Sequence, residues 1–445
     1  MIASDKKMKW WCIGLVVCLS IYMTVTLGHA QEKIKIGYIG PLKFPVGEEC
    51  SLTAGIAVEE INAAGGVRVG GKMRKIEFVK VDSNEMHSLP DAVNAMERII
   101  NADKVDFIVG GYRSEAVLAM QEVAADHKVI WLNGYIGSPE PATRVVKNYN
   151  RYKYYFRFSN LNSMHQNKMG FNELLMVAET VRTKLGIKKP RVAVLGEKVL
   201  WVDPVVNLAL KSIPENGMEV AGEWRPSFFA EDVTAELTAI KNAGAQIIYF
   251  MACGPVGAVV SKQWGELQIP AALIGLNCNA MTDRIMETTG GLNNYEATLS
   301  CFGEADVTPK TVPFIRKIKK AYGYTPTCCG TLYDMVYVLK DAIERAGTLD
   351  KDAMVTALEK TNYVGVWGGI AFTPKDNPQF GHDIVFGPHN VINPVIQWID
   401  GKASVVWPDG KAFLGTDKSW VGVKYKGTKD YELPPWVVKY WKDKK

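Results

Sequence analysis

The alternation of strand-like and helix-like segments constrains this chain more than any other feature. From Lys33 onwards, short apolar stretches alternate with amphipathic stretches of about 12–15 residues. The first series of strand-like segments reads KIKIGYIG, KIEFVKV, VDFIVGG and VIWL. Strands separated by helices of this length form βαβ units, so the series predicts a parallel sheet with helices packed on it.

The same alternation restarts near Arg191 and predicts a second α/β unit. Its strand-like segments are RVAVLG, MEVAGEW, QIIYFM and ALIG. A chain of 445 residues is long enough for two such units, at roughly 100–200 residues per domain. Further helices are predicted at 312–322, 331–346 and 351–359, before a tail with the short strands VIQWID and ASVVW. The expected fold class is therefore α/β, with two Rossmann-like, doubly wound lobes.

The amino terminus has the layout of an export signal. The basic stretch KKMK is followed by the uncharged apolar run WWCIGLVVCLSIYMTVTL and by the small-x-small triplet GHA. We predict a signal peptide at 1–30, with Gln31 as the first residue of the exported protein. An uncleaved anchor is the alternative, because an apolar run of this length can just span a bilayer.

The net charge and the absence of catalytic motifs narrow the range of possible functions. The formal net charge is only +5, which is too weak to indicate a nucleic-acid partner. The sequence contains no H-E-x-x-H, G-x-S-x-G or G-x-x-x-x-G-K-[ST] motif, and its histidines lack metal-ligand spacing. These observations predict a protein that is not an enzyme and that needs no cofactor or metal.

The strand ends offer a binding site for an anion. VDFIVGG runs into Tyr112, Arg113 and Ser114 at the start of a predicted helix, which we expect Ser114 to cap. Exposed N–H groups at a helix start favour a negative charge, Ser114 supplies a hydroxyl, and Arg113 can bind a carboxylate through two hydrogen bonds. The alternative is that Ser114 is only a helix cap and Arg113 only a solvated surface charge.

Three more loops complete the predicted site. VIWL is followed by Tyr135, Ile136 and Gly137, which offer an aromatic wall and backbone donors. In the second unit, Trp201 follows RVAVLG and Asn277 follows ALIG. Ligands bind beyond the carboxyl ends of parallel strands, so an indole and an amide are expected to face the anion site. Trp201 as an ordinary core aromatic is the alternative.

Six cysteines remain after the predicted signal peptide, and none forms a C-x-x-C motif. Cys278 and Cys301 could close a loop through a disulfide, which would stabilise the fold by about 3 kcal/mol. Buried cysteines without a disulfide are an equally good interpretation. The adjacent Cys328 and Cys329 are poorly placed to bond each other.

The order of several segments resembles one known family. The mature chain is similar to the solute-binding proteins of branched-chain amino acid ABC transporters, the Leu/Ile/Val-binding type of the type I periplasmic binding protein fold. The likeness covers almost all of 33–407. It is carried by the stretches IKIGYIGPL, AGIAVEEINAAGGV, FIVGGYRSEAVLAMQEVA, WLNGYIGSPE and LYDMVYVLKDAIERAG.

The resemblance implies two lobes joined by a three-strand hinge, with crossovers near Arg157, Phe302 and Tyr363. One lobe would comprise 31–157 plus 303–362, and the other 158–302 plus 363–445. The implied function is that of a periplasmic solute-binding protein, which captures a small ligand by hinge closure and delivers it to the membrane permease subunits of an ABC importer. A ligand-binding sensor of the same fold is the alternative.

The resemblance also assigns roles within the site. Ser114 matches the family serine that holds the ligand carboxylate, and Trp201 stands where an aromatic faces the ligand. Ile136 and Gly137 lie in the loop that carries backbone donors and a threonine, which is absent here. Asn277 stands where the family has a carboxylate for the ligand ammonium. A neutral amide there predicts a small apolar or aromatic carboxylate as ligand, with branched-chain amino acids as the alternative.

Overall fold

The computed structural model describes residues 32–159, 163–412 and 415–444. The predicted signal peptide at 1–30 lies outside these residues. Within the described ranges, no helix is both long and apolar enough to cross a membrane.

The strands alternate with helices from the first described residues onwards. In chain order, the strands are β1 (Ile34–Gly40), β2 (Val67–Val69), β3 (Lys72–Arg74), β4 (Ile76–Asp82), β5 (Phe107–Gly110), β6 (Ile130–Asn133), β7 (Tyr155–Arg157), β8 (Arg191–Gly196), β9 (Glu219–Trp224), β10 (Ile247–Ala252), β11 (Ala272–Asn277), β12 (Ala297–Leu299), β13 (Tyr363–Val364), β14 (Gly369–Ile370), β15 (Val395–Ile399) and β16 (Lys402–Trp407).

The helices surround these strands. In chain order, they are α1 (Pro45–Ala63), α2 (Leu89–Asn101), α3 (Ser114–Asp126), α4 (Glu140–Lys147), α5 (Tyr149–Tyr152), α6 (Ser163–Leu185), α7 (Asp203–Glu215), α8 (Thr234–Asn242), α9 (Val256–Glu266), α10 (Arg284–Thr289), α11 (Thr311–Tyr322), α12 (Thr331–Ala346), α13 (Lys351–Glu359) and α14 (Pro435–Asp443).

Two parallel sheets form the centres of the two lobes. The first has the strand order β4-β1-β5-β6-β7, and the second has the order β9-β8-β10-β11. The strands β5 and β6 are buried along their whole length, as expected for central strands covered on both faces. The α/β class with two lobes is confirmed. A smaller antiparallel sheet, β12-β15-β16, lies beside β11.

The helices predicted at 312–322, 331–346 and 351–359 are present as α11, α12 and α13; α12 and α13 have the predicted bounds, and α11 begins one residue earlier. Two differences have a physical reason. The helix α6 was not predicted, because its residues 169–178 are buried on nearly all sides between the second sheet, α7 and α14, and so show no one-sided apolar stripe. The prediction that Ser114 caps α3 is wrong: Arg113 occupies the N-cap position, without a side-chain cap, and Ser114 is the first helical residue.

A buried ion pair lies at the first of the predicted crossovers. Arg157, at the end of β7, bonds Asp383 at 2.7 Å, and both side chains are fully buried. The backbone of 382–384 also pairs with Arg157. The helices α11 and α12 pack on α1, so residues 311–346 return to the first lobe. The boundaries 31–157 plus 303–362, and 158–302 plus 363–445, stay a prediction.

Candidate functional site

A cavity of about 140 Å³ lies between the lobes, beyond the carboxyl ends of the parallel strands. Both lobes contribute to it. The first lobe provides Met86, Tyr112, Arg113, Ser114, Glu115, Tyr135 and Gly137, and the second provides Lys198, Val199, Trp201, Phe228, Phe229 and Cys253. Six of the eight predicted site residues are therefore brought together: Tyr112, Arg113, Ser114, Tyr135, Gly137 and Trp201.

The hydroxyl of Ser114 is prepared to donate a hydrogen bond into the cavity. Its Oγ accepts a hydrogen bond from the backbone N–H of Ser138 at 3.3 Å. That bond does not use the hydroxyl hydrogen, which can therefore be donated to a ligand oxygen. Ser114 also begins α3, where the first N–H groups have no partner within the helix. This end of the cavity is therefore suited to a carboxylate.

The positive charges at the cavity come from both lobes. Arg113 lies on its lining, but its Nε bonds Glu115 at 3.2 Å and its Nη1 bonds the carbonyl of Met86 at 3.2 Å. Glu115 therefore offsets part of the Arg113 charge. The exposed Lys198 adds a second cation from the opposite lobe. A bidentate contact that uses Nε of Arg113 would require this nitrogen to leave Glu115.

Aromatic rings form the remaining walls. Tyr112 and Tyr135 stack with their ring centroids 4.7 Å apart. Across the cleft stand Trp201, Phe228 and the half-exposed Phe229. Phe228 and Phe229 were not predicted, because they lie in a loop after β9 that shows no period or motif. A planar apolar ligand can stack here for roughly 0.5–1.5 kcal/mol beyond the burial of its area.

The stacked tyrosines separate this cavity from a second one of about 230 Å³. The hydroxyl of Tyr112 donates to the carbonyl of Cys253 at 3.4 Å, so the ring bridges the two lobes. Glu49 lines the second cavity and accepts hydrogen bonds from the N–H and the hydroxyl of Thr327, at 2.6 and 3.0 Å. Burial raises the pKa of Glu49 to about 7.

Two predicted site residues lie elsewhere. Ile136 is fully buried in the first-lobe core, and its carbonyl accepts a hydrogen bond from Arg157 Nη2 at 2.6 Å. Asn277 is 2% exposed, and its Nδ2 donates to Glu296 Oε1 at 2.8 Å and to Ser261 Oγ at 2.9 Å. Its amide therefore makes hydrogen bonds in the interior of the second lobe, and Asn277 is not on the lining of either cavity.

The predicted disulfide between Cys278 and Cys301 is wrong. Cys278 bonds Cys253, with the two Cα atoms 4.8 Å apart, while Cys301 is buried and belongs to neither disulfide. The reason is strand register: Ala252 of β10 pairs with the last residue of β11, so the cysteines that follow both strands lie side by side. The sequence carried this signal, because each cysteine stands within three residues of the end of a strand-like segment.

A second disulfide joins Cys50 of α1 to Cys329, with the Cα atoms 4.6 Å apart. It ties α1 to the turn before α12. The prediction that Cys328 and Cys329 do not bond each other is confirmed. In the described residues, no group of three or more His, Cys, Asp or Glu side chains is placed to hold a metal ion.

The fold and the interlobe cavity are those of a protein that binds a small ligand between two lobes. Comparison with known proteins agrees with this class. The family model described as "Periplasmic binding protein" matches residues 33–388, so the chain belongs to this family. Its members are substrate-binding proteins rather than enzymes.

Known relatives cover most of the chain. The "Leucine-, isoleucine-, valine-, threonine-, and alanine-binding protein" of Pseudomonas aeruginosa is 25% identical over 366 residues, which are 81% of this chain and 91% of the relative. A putative branched-chain amino acid ABC transporter from Silicibacter pomeroyi has the same fold, with a TM-score of 0.72, 18% identity and coverage of 91% and 100%. A solute-binding protein from R. palustris in complex with benzoate has a TM-score of 0.68, 16% identity and coverage of 84% and 96%.

Proposed function

We propose that this protein is an exported solute-binding protein of an ABC importer and that its ligand is a small apolar or aromatic carboxylate. One observation carries the proposal: the hydroxyl of Ser114 and the aromatic walls face the same cavity, and both lobes form it. A ligand that contacts both lobes favours the closed form over the open one. Permease subunits in the membrane would then receive the ligand from the closed protein.

The chemistry of the lining supports a carboxylate without an ammonium group. The acidic residue on the lining of the first cavity, Glu115, bonds Arg113. An ammonium taken out of water needs an anion, and an unpaired one costs several kcal/mol. The benzoate complex of the R. palustris protein shows that this fold can hold an aromatic acid.

Branched-chain amino acids are the second candidate. The relative from P. aeruginosa is named for leucine, isoleucine and valine, among others. Glu49 in the second cavity is the group that favours this alternative, because its carboxylate could pair with an ammonium if a ligand reached past Tyr112 and Tyr135.

A matched pair of ligands separates the two candidates. L-Leucine and 4-methylpentanoate differ only in the ammonium group, and benzoate adds the aromatic case. We expect benzoate and 4-methylpentanoate to raise the melting temperature in a thermal-shift assay. Stabilisation by L-leucine with none by the two simple acids would reject the proposed class and favour the amino acids.

Ser114→Ala is expected to weaken binding of the stabilising acid by about 1–3 kcal/mol, because it removes a hydrogen bond to a charged oxygen. Calorimetric titration of benzoate measures the change. Ser88→Ala is the matched control, since Ser88 caps α2 through the N–H of Asp91 and lies outside the cavity. Equal affinities of Ser114→Ala and the wild type would leave Ser114 without a role in binding.

Export is a separate prediction. The layout of residues 1–30 predicts that the protein accumulates outside the cytoplasm with Gln31 at its amino terminus. Amino-terminal sequencing of the protein from the periplasmic or secreted fraction tests it. A membrane-bound protein that begins at Met1 would contradict cleavage.

Stimulation of a permease–ATPase complex by the loaded protein would separate an importer component from a sensor.

A further inference from the structure

Behind the first-lobe wall of the cavity lies the buried carboxyl group of Glu85. Its Oε2 accepts hydrogen bonds from the backbone N–H groups of Tyr112 and Arg113, at 3.1 and 2.8 Å. Its Oε1 accepts a hydrogen bond from Ser83 Oγ at 2.9 Å. Glu85 is fully buried and is not on the cavity lining. Through these bonds it holds the loop that carries Tyr112 and Ser114.

Glu197 occupies the corresponding place behind the second-lobe wall. Its Oε1 accepts a hydrogen bond from the N–H of Cys253 at 2.8 Å, and its Oε2 accepts one from the N–H of Gly254 at 2.9 Å. It also bonds the side chain of Trp201. Glu197 too is fully buried and off the lining, yet it contacts two residues that are on it.

We propose that Glu85 and Glu197 are positioning residues of the ligand cavity, each fixing the cavity-lining loop of its own lobe through backbone N–H groups. The inference rests on the proposed function and extends it to residues that do not touch the ligand. The two loops meet each other, because the hydroxyl of Tyr112 bonds the carbonyl of Cys253 across the cleft. A shift of either loop therefore moves the aromatic wall and the contact between the lobes.

Both carboxyl groups are costly to bury, which argues against a role in stability alone. Desolvation raises the pKa of Glu85 and of Glu197 to about 7, although the backbone donors oppose this shift. Apolar side chains of similar volume would often serve a core as well or better. What the carboxyl groups supply in addition is two backbone hydrogen bonds each, at the ends of two strands.

The two sites respond differently to a conservative substitution. In Glu85→Gln, the single side-chain oxygen can still accept both N–H groups, and the new amide can donate to Ser83 Oγ. In Glu197→Gln, one of the two oxygens becomes an NH₂ group that faces a backbone N–H. Glutamine therefore restores the loop at position 85 but not at position 197. If the two carboxyl groups only filled volume, glutamine would restore the loop at both position 85 and position 197.

The experiment compares Glu85→Ala, Glu85→Gln, Glu197→Ala and Glu197→Gln by hydrogen exchange with fragment-resolved mass spectrometry, without any ligand. We expect exchange of the Tyr112 and Arg113 amides to rise about tenfold in Glu85→Ala and to stay near wild type in Glu85→Gln. We expect exchange of the Cys253 and Gly254 amides to rise about tenfold in both Glu197 variants.

Asp334→Asn is the matched control. Asp334 is buried and accepts hydrogen bonds from the N–H groups of Val366 and Trp367, away from the cavity. The Asp334→Asn variant should leave the exchange rates of the Tyr112, Arg113, Cys253 and Gly254 amides unchanged. Unchanged exchange in all Glu197 variants, or an equal rise in Asp334→Asn, would overturn the inference. If an alanine variant does not fold, the two glutamine variants, which keep the side-chain volume, still give opposite expected results.

Calorimetric titration with benzoate and with L-leucine links the loops to binding. For whichever of the two binds the wild type, we expect Kd to rise about tenfold in Glu197→Gln and to change little in Glu85→Gln. An unchanged Kd in Glu197→Gln would overturn the positioning role. If neither compound binds the wild type, the proposed ligand class fails, while the exchange rates alone support or overturn the role of the two loops.

Discussion

Arg157→Leu is expected to lower the free energy of unfolding by about 3–5 kcal/mol, because it leaves a buried carboxylate without its cation. The pair that it breaks, Arg157 with Asp383, is fully buried on both sides. Arg157 also donates to the carbonyls of Ile136 and Ser159, at 2.6 and 3.3 Å. One side chain thus joins the end of the first sheet, the loop next to the cavity and the returning segment at Asp383.

Equilibrium unfolding in urea measures this effect. The double variant Arg157→Leu/Asp383→Leu should recover part of the loss, because the uncompensated charge is gone. Arg151→Leu is the control: Arg151 bonds Glu122 and Asp126 at the surface, where such pairs contribute at most about 1 kcal/mol. A loss for Arg157→Leu no larger than that for Arg151→Leu would contradict the prediction.

Glu296→Gln is expected to stabilise the protein at pH 8, on the order of 2 kcal/mol. Burial raises the pKa of Glu296 to about 7, against the opposing hydrogen bonds from Asn277 and Ser261. Its Oε1 accepts both of those bonds, while its buried Oε2 has no hydrogen-bond partner among the described residues. Glutamine keeps the accepting oxygen and removes the charge.

The sign of the pH dependence follows from the raised pKa. The unfolded chain loses the Glu296 proton near pH 4.5 and the folded protein near pH 7, so folding binds a proton between these values. Stability contributed by this group is fully present below about pH 4.5, is lost as the pH rises towards 7, and is then constant. Glu49, Glu85, Glu197 and Asp334 have the same direction and add to the slope.

Thermal unfolding at pH 5, 6, 7 and 8 tests the slope. The wild type should lose stability from pH 5 to 7, and Glu296→Gln should lose less, so that the difference between them grows up to about pH 7 and then levels off. Asp352→Asn is the control: a hydrogen bond from Lys153 lowers the pKa of the exposed Asp352 below its ordinary value of 3.8, so the difference between this variant and the wild type should stay constant from pH 5 to 8. A difference between wild type and Glu296→Gln that does not depend on pH would contradict the prediction.

The contacts of Asn277 determine the effect of placing a carboxylate at this position. Its amide donates to Glu296, so Asn277→Glu would place two carboxylates together in the interior of the second lobe. We therefore expect that change to destabilise the fold rather than to move ligand preference towards amino acids. Lys198 and the aromatic residues on the cavity lining are better positions for altering ligand class.

Local patterns in the sequence were sufficient for the secondary structure and for part of the site. The spacing of apolar residues and the local composition depend on neighbouring residues only. Helices such as Thr331–Ala346 and strands such as Ala272–Asn277 could therefore be predicted from the amino-acid sequence. Because parallel strands deliver their carboxyl ends to one edge, the loops at Ser114, Tyr135 and Trp201 could also be predicted to meet.

Only the tertiary structure decided which distant side chains touch. The register of β10 against β11 pairs Cys253 with Cys278, and the packing within the second lobe turns Asn277 towards Glu296. The return of the chain near Asp383 closes the ion pair with Arg157, 226 residues earlier in the sequence. Contacts of this kind depend on how sheets, helices and lobes are placed in space, and a period of two or of 3.6 residues carries no information about that placement.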